Sequence, residues 1–253
     1  MAVTPRDSAS LVLLRDSLRS GGCMEVLMLR RHAQSAFLPG AYVFPGGAVE
    51  PGDYGPAAEG ICRGVTSEVA HSIVADACSP AAALGFLVAA IREAFEEAGI
   101  LLAYREYPQL VTLAGEERVR FDRYRVQMRE DPSAFVTLLQ QEGLKLAVDR
   151  LFYFARWITP DAAPIRFDTR FFVAEAPPYQ AVVHDAWETT DSQWIGLDDV
   201  VARRRSGELA IAFPTFSLIK ELASFSSVAE VIASTKGKEV PGTQPLLNML
   251  QFG

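Results

Sequence analysis

The chain has 253 residues, 49% hydrophobic and 22% charged, ordinary globular proportions that suit one domain with insertions. Lys and Arg number 24 against 31 Asp and Glu, and the net charge of −7 argues against a general nucleic-acid binder. No run of about eighteen apolar residues occurs, so no membrane span is expected, and Cys23, Cys62 and Cys78 form neither a CxxC nor an even set, which points to a reduced, cytoplasmic compartment.

Met1 to Asp7 carries no signal-peptide core, and Leu250 to Gly253 is not a peroxisomal address. Ala9 to Leu14 is apolar enough for a buried strand. Ser20-Gly21-Gly22 signals a turn, and Glu25 to Leu29 reads as the returning strand. Arg30-Arg31-His32 follows at the strand end. Arginines leaving a strand can meet phosphates or sit in a solvated loop; His32 reads as structural or solvent-facing. Pro39-Gly40 and Pro45-Gly46 bracket a short strand over Ala41 to Phe44. Gly46 and Gly47 are expected to take positive φ and let the backbone approach a ligand closely.

Residues 51 to 56 read as loop. Val65, Val69 and Ile73, with Ala70, Val74 and Ala77 beside them, predict a helix over Thr66 to Ala77. Its apolar stripe needs a cover, either the rest of the domain or a second copy, so a homodimer is possible. His71 on this helix reads as a surface or interface residue. Ser79-Pro80 is an N-cap followed by an N1 proline, and starts a new helix.

On that helix Leu84, Leu87, Val88, Ile91, Phe95 and Ala98 share one face. Glu93, Glu96 and Glu97 fall on the other, within an arc of roughly 100°. Like charges at i, i+3 and i+4 repel by a few tenths of a kcal/mol per pair. A hard divalent cation, Mg²⁺ or Mn²⁺, would offset that repulsion, since it prefers carboxylate oxygens. The alternative is a solvated acidic face of an amphipathic helix.

Ile100 to Ala103 reads as a strand, followed by a charged helix over Glu116 to Glu130 and another from about Asp131-Pro132-Ser133 to Gln141, closed by Gly143. Arg118, Arg120, Arg123 and Arg125 could form a phosphate-facing cluster or belong to a solvated mixed-charge helix. Leu151 to Ile158 is a strand ended by Thr159-Pro160, and Arg166 to Val173 is the next. There Arg166, Asp168, Arg170 and Phe172 share a face. Two arginines around one aspartate could receive phosphates or could be ion-paired. Asp185 or Glu188 could be a metal contact, a general base or a loop acid. A strand bearing Trp194 follows, then helices over Leu197 to Arg205, Pro214 to Phe225 and Val228 to Ser234. From Lys236 onward the chain is expected to run over the surface.

Two stretches together carry a resemblance. Phe44-Pro45-Gly46-Gly47 through Asp53, with Arg92-Glu93-Ala94-Phe95-Glu96-Glu97-Ala98-Gly99-Ile100, resembles the Nudix box of hydrolases acting on nucleoside diphosphates linked to another moiety. Ala94 is a small version of the family's first apolar position, and Asp53 stands where the family usually has Glu. The family places seven residues between that acid and the Arg; here residues 54 to 91 make thirty-eight. Gly40 with Phe44 to Gly47 resembles the coenzyme A diphosphatase branch. The Phe37 to Gly47 run, the split box and Arg166-Phe167-Asp168-Thr169 with Phe171-Phe172 look most like its peroxisomal acyl-CoA type.

The resemblance implies an α/β fold: one Nudix α/β/α sandwich over residues 1–253, with a mixed sheet and helical insertions at about 54–79 and 105–148. It implies Mg²⁺ or Mn²⁺ held by Glu93, Glu96 and Glu97, with the carbonyl of Gly47 or Gly46 as a further ligand. Arg92 would orient the cluster by ion pairing, and Glu188, ahead of the Trp194 strand, would be a further metal contact or the general base. Phe44, Gly46, Arg30, Arg31, Arg166 and Arg170 are the expected substrate-binding residues. The expected partner is a small nucleotide, with CoA or acyl-CoA yielding 3′,5′-ADP and (acyl-)4′-phosphopantetheine. ADP-ribose, NADH or dinucleoside polyphosphates are alternative substrates. A non-catalytic nucleotide sensor is a further alternative, against which the three intact glutamates count.

Overall fold

The computed structural model describes residues 3–17 and 24–245. β1 (Arg6–Asp16) is a central strand buried on both faces: Leu11 and Leu13 join one core, Val12 and Leu14 the other. That double burial explains its unbroken apolar run. β2 (Met24–Arg31) pairs antiparallel with it. The expected turn at Ser20 to Gly22 lies outside the described residues. The strand expected over Ala41 to Phe44 is shorter, β3 (Tyr42–Val43), and a second piece, β4 (Gly46–Ala48), pairs with β1.

A 3₁₀ turn at Pro51–Asp53 leads into α1 (Gly55–Ile61), a helix in a segment whose first residues read as loop. Gly55, at φ +85, makes the sharp entry, and Pro56 sits in the first turn. α2 (Ser67–Ile73) has Thr66 as N-cap and ends four residues earlier than the apolar spacing suggests. α3 (Pro80–Ala98) begins as expected, with Ser79 Oγ accepting from the Ala82 N–H at 3.2 Å. Gly99, at φ +67, ends it, its N–H donating back to the Ala94 and Phe95 carbonyls.

The second insertion follows. It holds β5 (Ala103–Glu106), β6 (Gln109–Leu110), α4 (Gly115–Glu130), α5 (Ala134–Gln141) and β7 (Lys145–Leu146), the three strands forming their own small sheet. The strand expected from Ile100 starts later, because the Leu101 N–H and C=O are bound by the Gln180 side-chain amide instead of a neighbouring strand. The chain then returns to the main sheet as β8 (Phe152–Ile158), β9 (Phe167–Glu175) and β10 (Thr189–Gly196). It closes with α6 (Leu197–Arg205), α7 (Phe213–Leu222), α8 (Val228–Ser234) and β11 (Gly242–Thr243).

The main sheet runs β10-β2-β1-β9-β8-β11, with β3 on β2 and β4 on β1. β1 with β9 and β8 with β11 are parallel, and the other pairs are antiparallel, so the sheet is mixed. α1 to α5 build the core on one face, and α6, α7 and α8 cover the other. This is the expected α/β/α sandwich. The segment expected to be a surface tail contributes β11, an exposed edge strand on β8.

Candidate active site

The site grows from the polar face of α3. Arg92 is almost fully buried and is the hub. Its Nε and Nη2 donate to both oxygens of Asp53 at 2.9 Å, and Nη2 also donates to the Ala48 carbonyl at 2.8 Å. Nη1 donates to Glu93 Oε1 at 2.8 Å and Glu96 Oε1 at 3.1 Å. Glu97 is 3% exposed and accepts from the Gly46 N–H at 3.0 Å. Burial works against the Arg92 charge, but Glu93, Asp53 and Glu96 outweigh it and hold the guanidinium protonated.

Three carboxylates thus face one guanidinium, with Glu97 buried beside them. Burial pushes Glu93 up to about 8, with Arg92 opposing and the Glu96 charge adding to it. Burial, then the neighbouring Glu93 charge, raises Glu97 well above the ordinary carboxylate range. Burial also raises Glu96, against the pull of Arg92. Excess buried negative charge on hard oxygen donors is the chemistry that fits a divalent cation. Glu93 and Glu96 are turned to the same Arg92 nitrogen and Glu97 to Gly46. Accordingly, among the described residues, no three acidic side chains converge on one point, and a cation here would compete with Arg92 and Gly46 for these oxygens.

Gly46 and Gly47 earn their place by close approach, correcting the expectation of positive φ: neither lies in the left-handed region. A Cβ on Gly46 would sit 2.7 Å from the Ala9 carbonyl, and one on Gly47 2.5 Å from Glu93 Oε1. Two glycines therefore let α3 and β1 close on the same short strand. The Gly47 carbonyl accepts from the Ser8 hydroxyl at 2.7 Å.

A cavity of about 440 Å³ opens beside this cluster. Glu93, Glu96, Arg92, Gly46, Gly47, Phe44, Arg31 and Glu188 line it, and Glu97 lies behind Gly46. Arg31 is braced by its Nε donating to the Phe37 carbonyl at 3.0 Å. Asp185 is no cavity acid. Its carboxylate accepts from the Trp187, Glu188 and Thr189 N–H groups and so shapes the turn that presents Glu188. His32 is likewise structural, its backbone N–H donating to the Glu188 carbonyl.

Three expected substrate contacts fall elsewhere. Arg30 alternates away from Arg31 along β2 and lies exposed, 6.0 Å from the Tyr42 ring. Arg166 is buried, donating to the Thr159 carbonyl, the Val3 carbonyl and Asp161. Arg170 is buried in an ion cluster with Asp7, Asp76 and Asp168, its guanidinium 4.1 Å from the Phe86 ring centroid. The physical reason is strand alternation. Phe167, Thr169 and Phe171 face the cavity, so Asp168 and Arg170 point to the other side of the sheet.

The comparisons with known proteins bear on this geometry. The model of the NUDT19 Nudix domain matches residues 74–222. The chain belongs to the NUDT19 Nudix family. Acyl-coenzyme A diphosphatase NUDT19 of Homo sapiens is 28% identical over 255 residues, covering 89% of this chain and 67% of that protein. The proteins of that name from Gallus gallus and Xenopus laevis are 28% and 26% identical, covering 94% and 82% of this chain. The chain spans 73% of the Gallus gallus protein and 62% of the Xenopus laevis one. A crystal structure of a Nudix hydrolase from Alicyclobacillus acidocaldarius superposes with a TM-score of 0.73 at 25% identity, over 91% of this chain and 96% of that one.

The matched NUDT19 Nudix region contains α3 and Glu188 but not Gly46, Gly47 or Arg31, which the fold brings to the same place. Among the other cavity residues, Arg6, Glu50 and the start of α7 carried no sequence signal, and Phe37 and Phe167 had one only through the resemblance. Arg6 and Glu50, 3.5 Å apart, stand on one wall; Phe37 and Phe167, edge to face at 5.2 Å, and Ala212, Pro214 and Thr215 at the start of α7 are parts of the lining. Nor do the four α4 arginines form a phosphate cluster. Arg120 pairs with Glu142, whereas Arg118 and Arg125 bind backbone carbonyls at the end of α3. Their spacing of seven, with Asp122 between, was the one available hint that they share a buried face.

Proposed function

We propose that this chain is a divalent-metal-dependent diphosphatase whose substrate is CoA or an acyl-CoA, cleaved to 3′,5′-ADP and 4′-phosphopantetheine or its acylated form. One observation carries the reading: a single cavity sets Glu93, Glu96 and Glu188 beside Arg31 and an apolar wall that includes Phe37, Phe167 and Phe171. The names of the curated relatives support the choice of substrate.

Glu93, Glu96 and Glu97 would hold Mg²⁺ or Mn²⁺, which when bound neutralises diphosphate charge and acidifies bound water. Arg92, locked by Asp53, keeps Glu93 and Glu96 at one end of the cavity. Arg31 and Arg6, both in the cavity lining, donate charge-assisted hydrogen bonds to phosphate oxygens. Glu188 accepts the proton of the attacking water. Gly46 and Gly47 keep the wall thin where the diphosphate lies, and the aromatic wall covers the organic part of the substrate.

The test is a panel of CoA, acyl-CoA, ADP-ribose, NADH and dinucleoside polyphosphates with Mg²⁺ and with Mn²⁺, products identified by mass spectrometry. The expected result is 3′,5′-ADP released fastest, from CoA or an acyl-CoA. Faster turnover of ADP-ribose than of any CoA compound would overturn the substrate, and no turnover of any compound would overturn the activity.

A further inference from the structure

Between β9 and β10 the chain runs from Ala176 to Glu188 without helix or strand, and this segment delivers Glu188 to the cavity. Two of its non-glycine residues are left-handed, Tyr179 at φ 62 and Ala186 at φ 59. Such conformations cost about 1–3 kcal/mol each and persist only where the surroundings impose them. Beside Tyr179 the Gln180 amide is bound to Leu101 and Val111, and beside Ala186 the Asp185 carboxylate accepts from the Trp187, Glu188 and Thr189 N–H groups; between these two points the loop is held by the C-terminal end of α3 and by α4. The Val183 N–H donates to the Ala98 carbonyl at 2.9 Å. Arg125 Nη2 donates to both the Glu96 carbonyl, at 2.8 Å, and the Val183 carbonyl, at 2.7 Å. Arg118 Nη1 likewise joins the Gly99 carbonyl, at 3.1 Å, to the Ala181 carbonyl, at 3.0 Å. Further along, the Arg129 guanidinium lies 4.6 Å from the ring centroid of exposed Trp187, next to Glu188.

We propose that α4 is a splint, with Arg125, seconded by Arg118, the positioning residue that ties the Glu188 loop to the end of α3 and so sets Glu188 against Glu93 and Glu96. The last carbonyls of a helix have no partner within it. A guanidinium supplies several donors in a rigid fork and can bridge two backbone segments at once, which a lysine point charge cannot. A cation also complements the negative end of the α3 dipole. Arg118 and Arg125 lie seven apart on α4, and Asp122 between them pairs with both, at 3.0 and 3.3 Å, offsetting their mutual repulsion. Gly99 leaves the room this needs, since a Cβ there would collide with Arg118 Nη2. The second insertion is therefore part of the catalytic geometry: a base must stand within hydrogen-bond reach of its proton, and a shift of about 1 Å can cost about a hundredfold in rate.

The inference rests on Glu188 being the proton acceptor, and the test is a double-mutant cycle. Arg125→Met and Arg125→Lys are each made in the wild type and in Glu188→Gln, and assayed on whichever compound of the panel is hydrolysed. Both substitutions should lower kcat by about tenfold or more, while KM and the metal concentration for half-activation stay within about twofold. In the Glu188→Gln background each should lower kcat by less than about twofold, because the placement they disturb no longer matters. Equal losses in both backgrounds, a weakened metal response, or no loss on Glu188→Gln alone would overturn the splint. Hydrogen exchange provides a readout that needs no turnover. The amides of Val183 and of Trp187 to Thr189 should lose protection by about tenfold in Arg125→Met while those of residues 84–95 keep theirs. Unchanged exchange at the loop, or equal loosening of α3, would refute the inference even if the chain hydrolyses nothing. Should Arg125→Met not fold, Arg118→Met is measured in the same way and must give the same pattern.

Discussion

Glu97→Gln separates metal binding from folding, because the two should move in opposite directions. Glu97 is 3% exposed, with Oε2 accepting the Gly46 N–H at 3.0 Å. A glutamine carbonyl can keep that hydrogen bond and the side-chain shape. The charge is what disappears, and in the metal-free protein that charge is a burden: burial and the neighbouring Glu93 raise the Glu97 pKa well above its ordinary value. A carboxyl whose folded pKa is raised contributes stability below its unfolded pKa of about 4.3 and loses it as pH rises through the folded value. The metal-free variant should therefore unfold at a higher temperature than the metal-free wild type at pH 8, by a margin that shrinks toward pH 5. Catalysis should go the other way. Removing one hard anionic ligand should cost on the order of a hundredfold in kcat/KM, about 2.7 kcal/mol at 1.36 kcal/mol per tenfold. Thermal unfolding in EDTA and steady-state kinetics at saturating Mg²⁺ measure the two effects. Retention of most activity, or a lower unfolding temperature at pH 8, would refute the reasoning.

The two adjacent glycines should behave differently. Gly46→Ala meets the Ala9 carbonyl and Ser10 Cα, both backbone, and should lower the unfolding temperature sharply; Gly47→Ala meets only the flexible end of Glu93, and should spare stability while cutting kcat by about tenfold or more. Since burial pushes Glu93 up to about 8, saturating Mg²⁺ should raise the unfolding temperature more at about pH 8.5 than at about pH 6, and calorimetry should show proton release on metal binding near neutral pH. Arg170→Met removes one of two arginines from the cluster of Asp7, Asp76 and Asp168, leaving Arg156 paired with Asp76 and Asp168, and should cost about 1–3 kcal/mol in denaturant unfolding without changing the preference for CoA over dephospho-CoA. Arg31→Ala, at the cavity wall, should instead weaken kcat/KM by about tenfold or more with stability little altered.

What the sequence determined by itself is what depends on neighbours along the chain. The Ser79-Pro80 start of α3, its Gly99 end and the separation of Glu93, Glu96 and Glu97 from the apolar face follow from helical periodicity and capping alone. β1, β2 and β9 follow from apolar runs and alternation, and the gathering of three carboxylates on one face of α3 follows from spacings of i, i+3 and i+4. The tertiary structure decided what depends on groups far apart in the chain. Alternation placed Asp168 and Arg170 on one face of β9, yet only the packing decided that this face meets Asp76 and Asp7 while Thr169 and Phe171 meet the cavity. Gly46 and Gly47 looked like φ requirements because local sequence cannot reveal that Glu93 and β1 crowd them from either side. Arg118 and Arg125 read as solvated charges because their partners are backbone carbonyls about 20 to 63 residues away, and a carbonyl leaves no mark on the sequence.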